Sequence, residues 1–491
     1  MNRKYIKSLL CLLTVCMLLL SSCGIITVNT NEPQKTTSAP ETTKAPETET
    51  DPPETVESAA PPAIIPEPEK WEIRYNEAAE MLKDQTDLPF DEKILFIVDS
   101  AGTFSAPLIQ NNIYSEATYE RYQMLEEKYG MTVSVSPAER ELLYDDYIKT
   151  IKGGNTFSDL LSVPLRDTAK FIQSGYIQNL RSLPFFKAKG DFSIPSFEAS
   201  RAAYDDVWFS VGYATLSPSD LGCLYFNRTI ASNAELDLYS TVENGEFTIE
   251  KYLEILTLAN SSAVWKEGSD VYLTALELSD EKFFETGYGK EISLSSTVFS
   301  NAMSSVTDIL SVLTKSNIQT SDEKTASALF EEGNVLFRFG TLDEITSISE
   351  LKMFFGVLPM PKTDVEAEYK TPVSDMTAAL MITSNTAQPE MCSITVSAIN
   401  AASYKWLLDS VGLHYANYHI PDIKSARMIR IITENPVLDF SASARHLTPW
   451  YDVMIHEPMK KKLDDPTTDL SALFTAANLR SLKSELNKYY K

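Results

Sequence analysis

The chain has 491 residues, enough for two or more domains of ordinary size. With 43% hydrophobic and 23% charged residues it can bury a core, and only 17 glycines exclude a collagen-like or Gly-rich chain. Lys+Arg 43 against Asp+Glu 68 gives a net charge of -25, which argues against nucleic acid as a partner and against charge-driven docking on an anionic membrane, because both need a basic surface.

The first expected element is an export signal over residues 1–22. Arg3, Lys4 and Lys7 make a basic start, and Leu9 to Leu20 is apolar except for Thr14. That run is too short to span a bilayer but suits the core of a signal peptide. Its end, Leu20-Ser21-Ser22-Cys23-Gly24, resembles the bacterial lipobox, with Cys23 as the lipidated first residue of the mature chain. Cys11 and Cys16 leave with the signal. Cys223 and Cys392 remain, with no C-x-x-C, and are expected as two buried thiols. Residues 24–70 hold nine Pro, nine Thr and no aromatic residue. Such a stretch cannot bury enough apolar surface to offset its ordering entropy. Residues 23–70 are therefore expected to be an extended, Pro-stiffened, lipid-anchored tether that holds a globular body off the membrane.

The body reads as alternating strands and helices. Ile94–Val98 is a continuous apolar run ending at Asp99-Ser100-Ala101-Gly102, as expected of a strand buried on both faces. A helix is expected over 115–129, capped by Gly130, then a strand through Met131, Val133 and Val135. Leu143, Tyr147 and Ile151 mark a helix closed by Gly153-Gly154, Leu160 to Val163 a third strand, and 166–174 a helix ended by Gly175. This repetition predicts a parallel, doubly wound sheet. Further on, Thr248 is placed to cap a helix over 249–258. Helices are expected over 298–316, 325–332, 389–408, 470–477 and 479–490, with a strand at 335–339. No internal repeat is found.

Six stretches in order resemble the extracellular solute-binding proteins of ABC importers, family 1, the group that includes maltose-binding proteins. They are Tyr147 through Gly154 with Ser158-Asp159-Leu160-Leu161; Phe171 through Ile177 with Leu180 and Leu183; Leu224-Tyr225-Phe226-Asn227-Arg228; Phe330 with Gly333-Asn334-Val335-Leu336-Phe337; Phe355 through Lys362; and Ala379–Ile382 with Asn385 and Glu390. Two departures stand out: Ile249 replaces a frequent Trp, and Trp208 to Tyr213 replaces the family's usual strand and loop. The resemblance implies a two-lobed α/β fold of the periplasmic-binding-protein kind (type II), its ligand cleft between lobes joined by crossing strands. The boundaries inferred from it are 90–212 and 340–387 for lobe one, and 213–339 and 388–491 for lobe two. Strand ends in open α/β sheets are also where ligands sit on general grounds.

Candidate ligand contacts are Asp99 and Ser100 after the first strand, Ser162 in the third, Tyr213 near the first crossing and Asp220 in the loop beyond it. Thr341 at the return crossing, Asp375 before the strand from Ala379, and Trp450 and Tyr451 in a late loop complete the set. Sugars present apolar C–H faces and many hydroxyls, which aromatic rings and carboxylates match. A cap or turn is the structural alternative for each polar residue, and the core for each aromatic. Trp208 is expected in the core; Arg338, inside an apolar strand, suits either a buried structural cation or the cavity.

Catalytic signatures are missing. His456-Glu457 lacks the second His of H-E-x-x-H, Gly287-Tyr288-Gly289 lacks a third Gly, and neither G-x-S-x-G nor G-K-(S/T) occurs. His414, His419, His446 and His456 have no spacing that favours zinc. No enzyme activity, cofactor or metal is expected. The resemblance implies a lipid-anchored receptor on the outer side of the cell membrane, working as a monomer. It would close on a small solute, carbohydrate first, and deliver it to ABC permease subunits. The alternatives are a receptor of the same fold for a non-sugar or signalling ligand, and an extracellular hydrolase.

Overall fold

The computed structural model describes residues 93–105 and 119–490, apart from 124, 128–129, 191–192, 198–200, 266–270, 280, 288–289, 316, 320–321, 352, 406–413, 416–417, 421, 445–449, 451, 466 and 471–472. The expected signal, Cys23, the tether and Tyr451 lie outside the described residues, as does the start of the helix expected from residue 115.

Two mixed sheets organise the rest. In the first, strand β1 (Lys93–Asp99) pairs in parallel with β2 (Met131–Pro137) on one side and β3 (Leu160–Pro164) on the other. Helix α1 (Arg140–Lys152) makes the crossover that parallel pairing requires, burying Leu143, Tyr147 and Ile151 on one stripe. In the second sheet, β4 (Gly222–Asn227), β5 (Ala263–Trp265), β6 (Asn317–Gln319), β7 (Phe337–Thr341) and β8 (Phe355–Leu358) lie in the order β8-β4-β7-β5-β6. Strand β9 (Ala378–Ile382) returns to the first sheet, antiparallel to β3, giving the order β9-β3-β1-β2.

The expectation of a wholly parallel sheet is therefore corrected. Strand β4 pairs antiparallel with both β7 and β8, and β9 pairs antiparallel with β3, while β5 stays parallel to β6 and β7. The repeated strand-helix unit predicts parallel pairing only where one crossover helix joins neighbours. Strand β9 instead enters its sheet from the other lobe, so its direction is set by the crossing. A second correction concerns the chain end, where one helix, Ala476–Tyr490, stands in place of the two expected.

Alternation places the two faces of the first sheet against different partners. Leu95, Ile97, Leu160, Leu380 and Ile382 pack with Met391, Ile394 and Ile399 of the helix Pro389–Lys405. Val98, Leu161, Val163, Ala379 and Met381 pack towards α1. On the second sheet, the helix Ser296–Lys315 brings Phe299, Met303, Val306 and Leu310 to the cluster that holds Val264, Phe337 and Phe339. Thus Phe355–Leu358, expected in lobe one, is an edge strand of the second sheet, and Pro389–Lys405, expected in lobe two, lies on the first. Cys223 and Cys392 are both free and buried.

Two connecting segments run side by side between the sheets. Ser210 at the start of one exchanges backbone hydrogen bonds of 2.9 Å in each direction with Leu380 of β9, and further along Leu221 bridges Val373 of the other. The Ser374 N–H donates to the Asp220 carbonyl at 3.0 Å, and Thr377 Oγ1 donates to the Thr215 carbonyl at 3.2 Å. Backbone pairing of this kind ties the lobes together while leaving a bend on each segment.

Candidate ligand-binding cleft

A cavity of about 600 Å³ opens beside these connecting segments. Its second-lobe wall is built from the carboxyl ends of β5 and β7, which pair in parallel and deliver Trp265, Phe339 and Thr341. The start of β4 adds Cys223, and the helix α2 (Val271–Ser279) adds Glu277. Asp220 and the run Pro372 to Met376 come from the connecting segments, and Arg166 from the turn after β3. Parallel strands place their ends side by side, so a concave site forms there without special residues.

Trp265 and Phe339 stack at 3.4 Å between ring centroids with an 18° interplanar angle. Both are buried residues on the cavity wall and give it an apolar aromatic face. Tight turns supply the polar side. Over Pro218–Asp220, the Ser217 N–H and hydroxyl donate to Asp220 Oδ2 at 2.8 and 2.9 Å. Over Leu342–Glu344, Thr341 repeats the arrangement with Glu344, and its hydroxyl donates to Asp343 Oδ1 at 2.6 Å. These capping boxes fix the direction of Asp220 and Glu344. Arg338 lies under the floor, wholly buried and paired with Glu344 at 2.5 Å, which settles it as a structural cation.

The charges are uneven. Asp220, Glu277, Asp343, Glu344 and Asp375 line the space, and the one basic residue among the described lining residues is Arg166, 3.6 Å from Asp375. Burial pushes the Asp220 carboxyl up to about 6, against the pull of its Ser217 and Thr377 hydrogen bonds. Burial likewise raises Glu277 well above the ordinary range, with the Asp439 carboxylate adding to it. Asp375 is raised by burial, and Arg166 opposes that rise.

Of the residues expected from the sequence, Asp220, Thr341 and Asp375 line this cavity. Asp99, Ser100 and Ser162 meet one another at the carboxyl end of the first sheet instead. Asp99 accepts from the Gly102, Phe104 and Ser105 N–H groups and from the Ser105 hydroxyl, so it organises its own loop. Ser100 donates to the Ser162 carbonyl at 2.8 Å, and Ser162 is fully buried. Tyr213 is buried in a turn of the first connecting segment. Trp450 is buried too, its Nε1 donating to the Ala444 carbonyl at 2.9 Å and its ring edge-on to Phe284. Trp208 packs partly buried against the core.

Sequence reasoning passed over Trp265, Glu277 and Arg166. Strand β5 is three residues long, too short to show alternation. Glu277 had a visible signal: it is the one acid in the apolar helix VYLTALELS, one turn beyond the buried Leu273.

No family model matches the sequence, and no curated protein does. Solved structures do. The fold is that of a two-lobed extracellular solute-binding protein: a family 1 member from Bifidobacterium longum subsp. infantis aligns over 81% of this chain and 99% of its own, with TM-score 0.50 and 11% identity. The galacto-N-biose-/lacto-N-biose I-binding protein of an ABC transporter from Bifidobacterium longum, solved with lacto-N-biose, aligns over 80% and 97% with TM-score 0.48 and 9% identity. UgpB from Mycobacterium tuberculosis, solved with glycerophosphocholine, aligns over 80% and 98% with TM-score 0.47 and 15% identity.

Proposed function

We propose that this chain is an extracellular, lipid-anchored receptor of an ABC importer that closes its two lobes on a small solute and passes it to a membrane permease. Carbohydrate is the first class of ligand to test. The observation that carries the reading is the cavity itself. It lies where the two connecting segments meet both sheets, so lobe closure acts directly on whatever it holds. Its aromatic face suits the C–H side of a sugar ring, and its carboxylates and hydroxyls suit the ring's polar edge. Asp220, Thr341 and Asp375 are the proposed contacts, joined by Trp265 and Glu277.

The lobes are proposed to divide by sheet: β1 to β3 with β9 and the helix Pro389–Lys405 in one, and β4 to β8 with the helix Ile423–Glu434 in the other. No helix of the described residues is long and apolar enough to cross a membrane. Attachment through Cys23 and the tether to its outer surface is the proposed anchorage.

The reading is tested by thermal unfolding of the full-length chain against mono- and oligosaccharides, with amino acids and peptides as controls. A ligand present at 100 times its Kd adds about 2.7 kcal/mol to folded-state stability. The expected result is a rise of several degrees from one solute class, with that solute recovered unchanged. Turnover of the solute would establish a hydrolase instead.

A further inference from the structure

Glu277 lines the cavity and holds a buried carboxyl oxygen that the described residues leave unsatisfied. It is 6% exposed, and its Oε2 accepts the Val373 N–H at 3.1 Å. The Asp439 N–H lies near enough to act on the same carboxyl, yet Oε1 has no hydrogen-bond partner. A buried carboxyl oxygen left in this state is costly unless something outside the chain meets it.

The surrounding charge says what that something is. The two arginines at the site are already engaged, Arg166 with Asp375 and Arg338 with Glu344. Asp220 is met only by hydroxyl and amide donors, and Asp343 by the Thr341 hydroxyl. With those two pairs set aside, the carboxyls of Asp220, Glu277 and Asp343 have no cationic partner among the described residues and lie beside an aromatic face. A neutral polyol does nothing to offset their negative charge. An organic cation offsets it and is also attracted to the face of a tryptophan. No group of three or more His, Cys, Asp or Glu among the described residues converges as a metal ion demands.

We propose that the solute taken by this cavity carries a protonated amine, with Glu277 as its counter-ion, Trp265 as its aromatic platform and Asp343 as a second anionic contact. This rests on the solute-receptor reading above and narrows its ligand class. The electrostatics agree in direction: burial, with the carboxylates of Asp439 and Asp375 adding to it, raises the Glu277 carboxyl well above the ordinary range, and a neighbouring ammonium opposes that rise.

Isothermal titration of the full-length protein decides it. The probes are the disaccharide of glucosamine with free amines, its N-acetylated counterpart, a glucose disaccharide and a linear aliphatic diamine. The expected result is binding of an amine-bearing probe, with N-acetylation lowering affinity about tenfold or more. Glu277→Gln retains an acceptor for the Val373 N–H and is expected to remove the preference for the amine. Asp343→Asn, on an exposed residue, weakens amine binding without unfolding risk and carries the test should Glu277→Gln fold poorly. Binding of the N-acetylated or glucose disaccharide as tight as that of the amine overturns the inference and leaves the receptor reading standing. Absence of binding in every arm overturns the inference, while the receptor reading is judged by the wider solute panel above.

Discussion

Arg166, from the first lobe, and Asp375, on the segment returning to it, meet at 3.6 Å on the wall of the cavity. Asp375 is buried, and the guanidinium holds down a carboxyl pKa that burial raises. Removing the arginine takes away the stronger of two positive influences, Arg166 and Arg140, on that carboxylate. Arg166→Ala is expected to cost about 1–3 kcal/mol in urea unfolding, short of the cost for a fully buried pair because the arginine side chain is partly open to water. The double variant Arg166→Ala/Asp375→Asn is expected to regain part of the loss. Additive losses in the double variant would show that the two residues do not interact.

The buried Asp220 makes stability depend on pH in a set direction. Its folded-state pKa of about 6 exceeds the ordinary 3.8, so folding favours the protonated form. The stabilisation is fully present below pH 3.8 and is lost as pH rises through 6. Glu277, Asp375 and Asp439 shift the same way. Asp220→Asn is expected to flatten this fall and to gain up to ~3 kcal/mol at pH 7 relative to acid pH. The check is a series of chemical denaturations across that range; an unchanged slope in the variant would remove Asp220 as its source.

The elements that could be read from the sequence are those whose periodicity outlasts their neighbours. Leu143, Tyr147 and Ile151 repeat over three turns and fall on the buried stripe of α1. Thr248 caps the helix Ile249–Leu258 by accepting from the Lys251 N–H at 3.1 Å. What could not be read were pairings made at long range. Nothing local to Ala378–Ile382 says that it runs antiparallel to β3, and nothing local to Phe355–Leu358 says which lobe it joins. Asp220, Thr341 and Asp375 line the cavity because each lies at a crossing. Asp99 stands at a strand end, but the loop that follows it takes up its carboxylate oxygens.

Trp265 offers a direct optical test of the cavity. It stacks on Phe339 within the wall, so a ligand that seats there changes its surroundings. Saturating ligand is expected to alter the intrinsic fluorescence of the wild type. Trp265→Phe is expected to abolish that change and to weaken binding several-fold, since a smaller ring covers less of the ligand. A full fluorescence response in the variant would place the ligand elsewhere.

Two of the stretches that resemble the solute-binding family are one structural unit, and that gives the glycine in one of them a reason. Strand β8 pairs with β4 so that Gly356 lies opposite Phe226. A methyl group at Gly356 would stand 2.4 Å from Phe226 Cε1 and 2.3 Å from Tyr239 Oη. Neither neighbour can yield cheaply. Phe226 packs edge-on against Tyr239 at 5.2 Å, and the Tyr239 hydroxyl is hydrogen-bonded to Ser425 Oγ at 2.6 Å, tying it to the helix Ile423–Glu434. The backbone at this glycine is not left-handed, so the requirement is space alone. Gly356→Ala is expected to destabilise by about 1–3 kcal/mol, the usual range for overpacking a filled core. Adding Tyr239→Phe removes the oxygen nearest the new methyl and is expected to recover part of that cost, because it relieves the 2.3 Å contact. Equal destabilisation with and without the hydroxyl would show that the clash with Phe226 alone sets the price, and no destabilisation at all would contradict the register of β4 with β8.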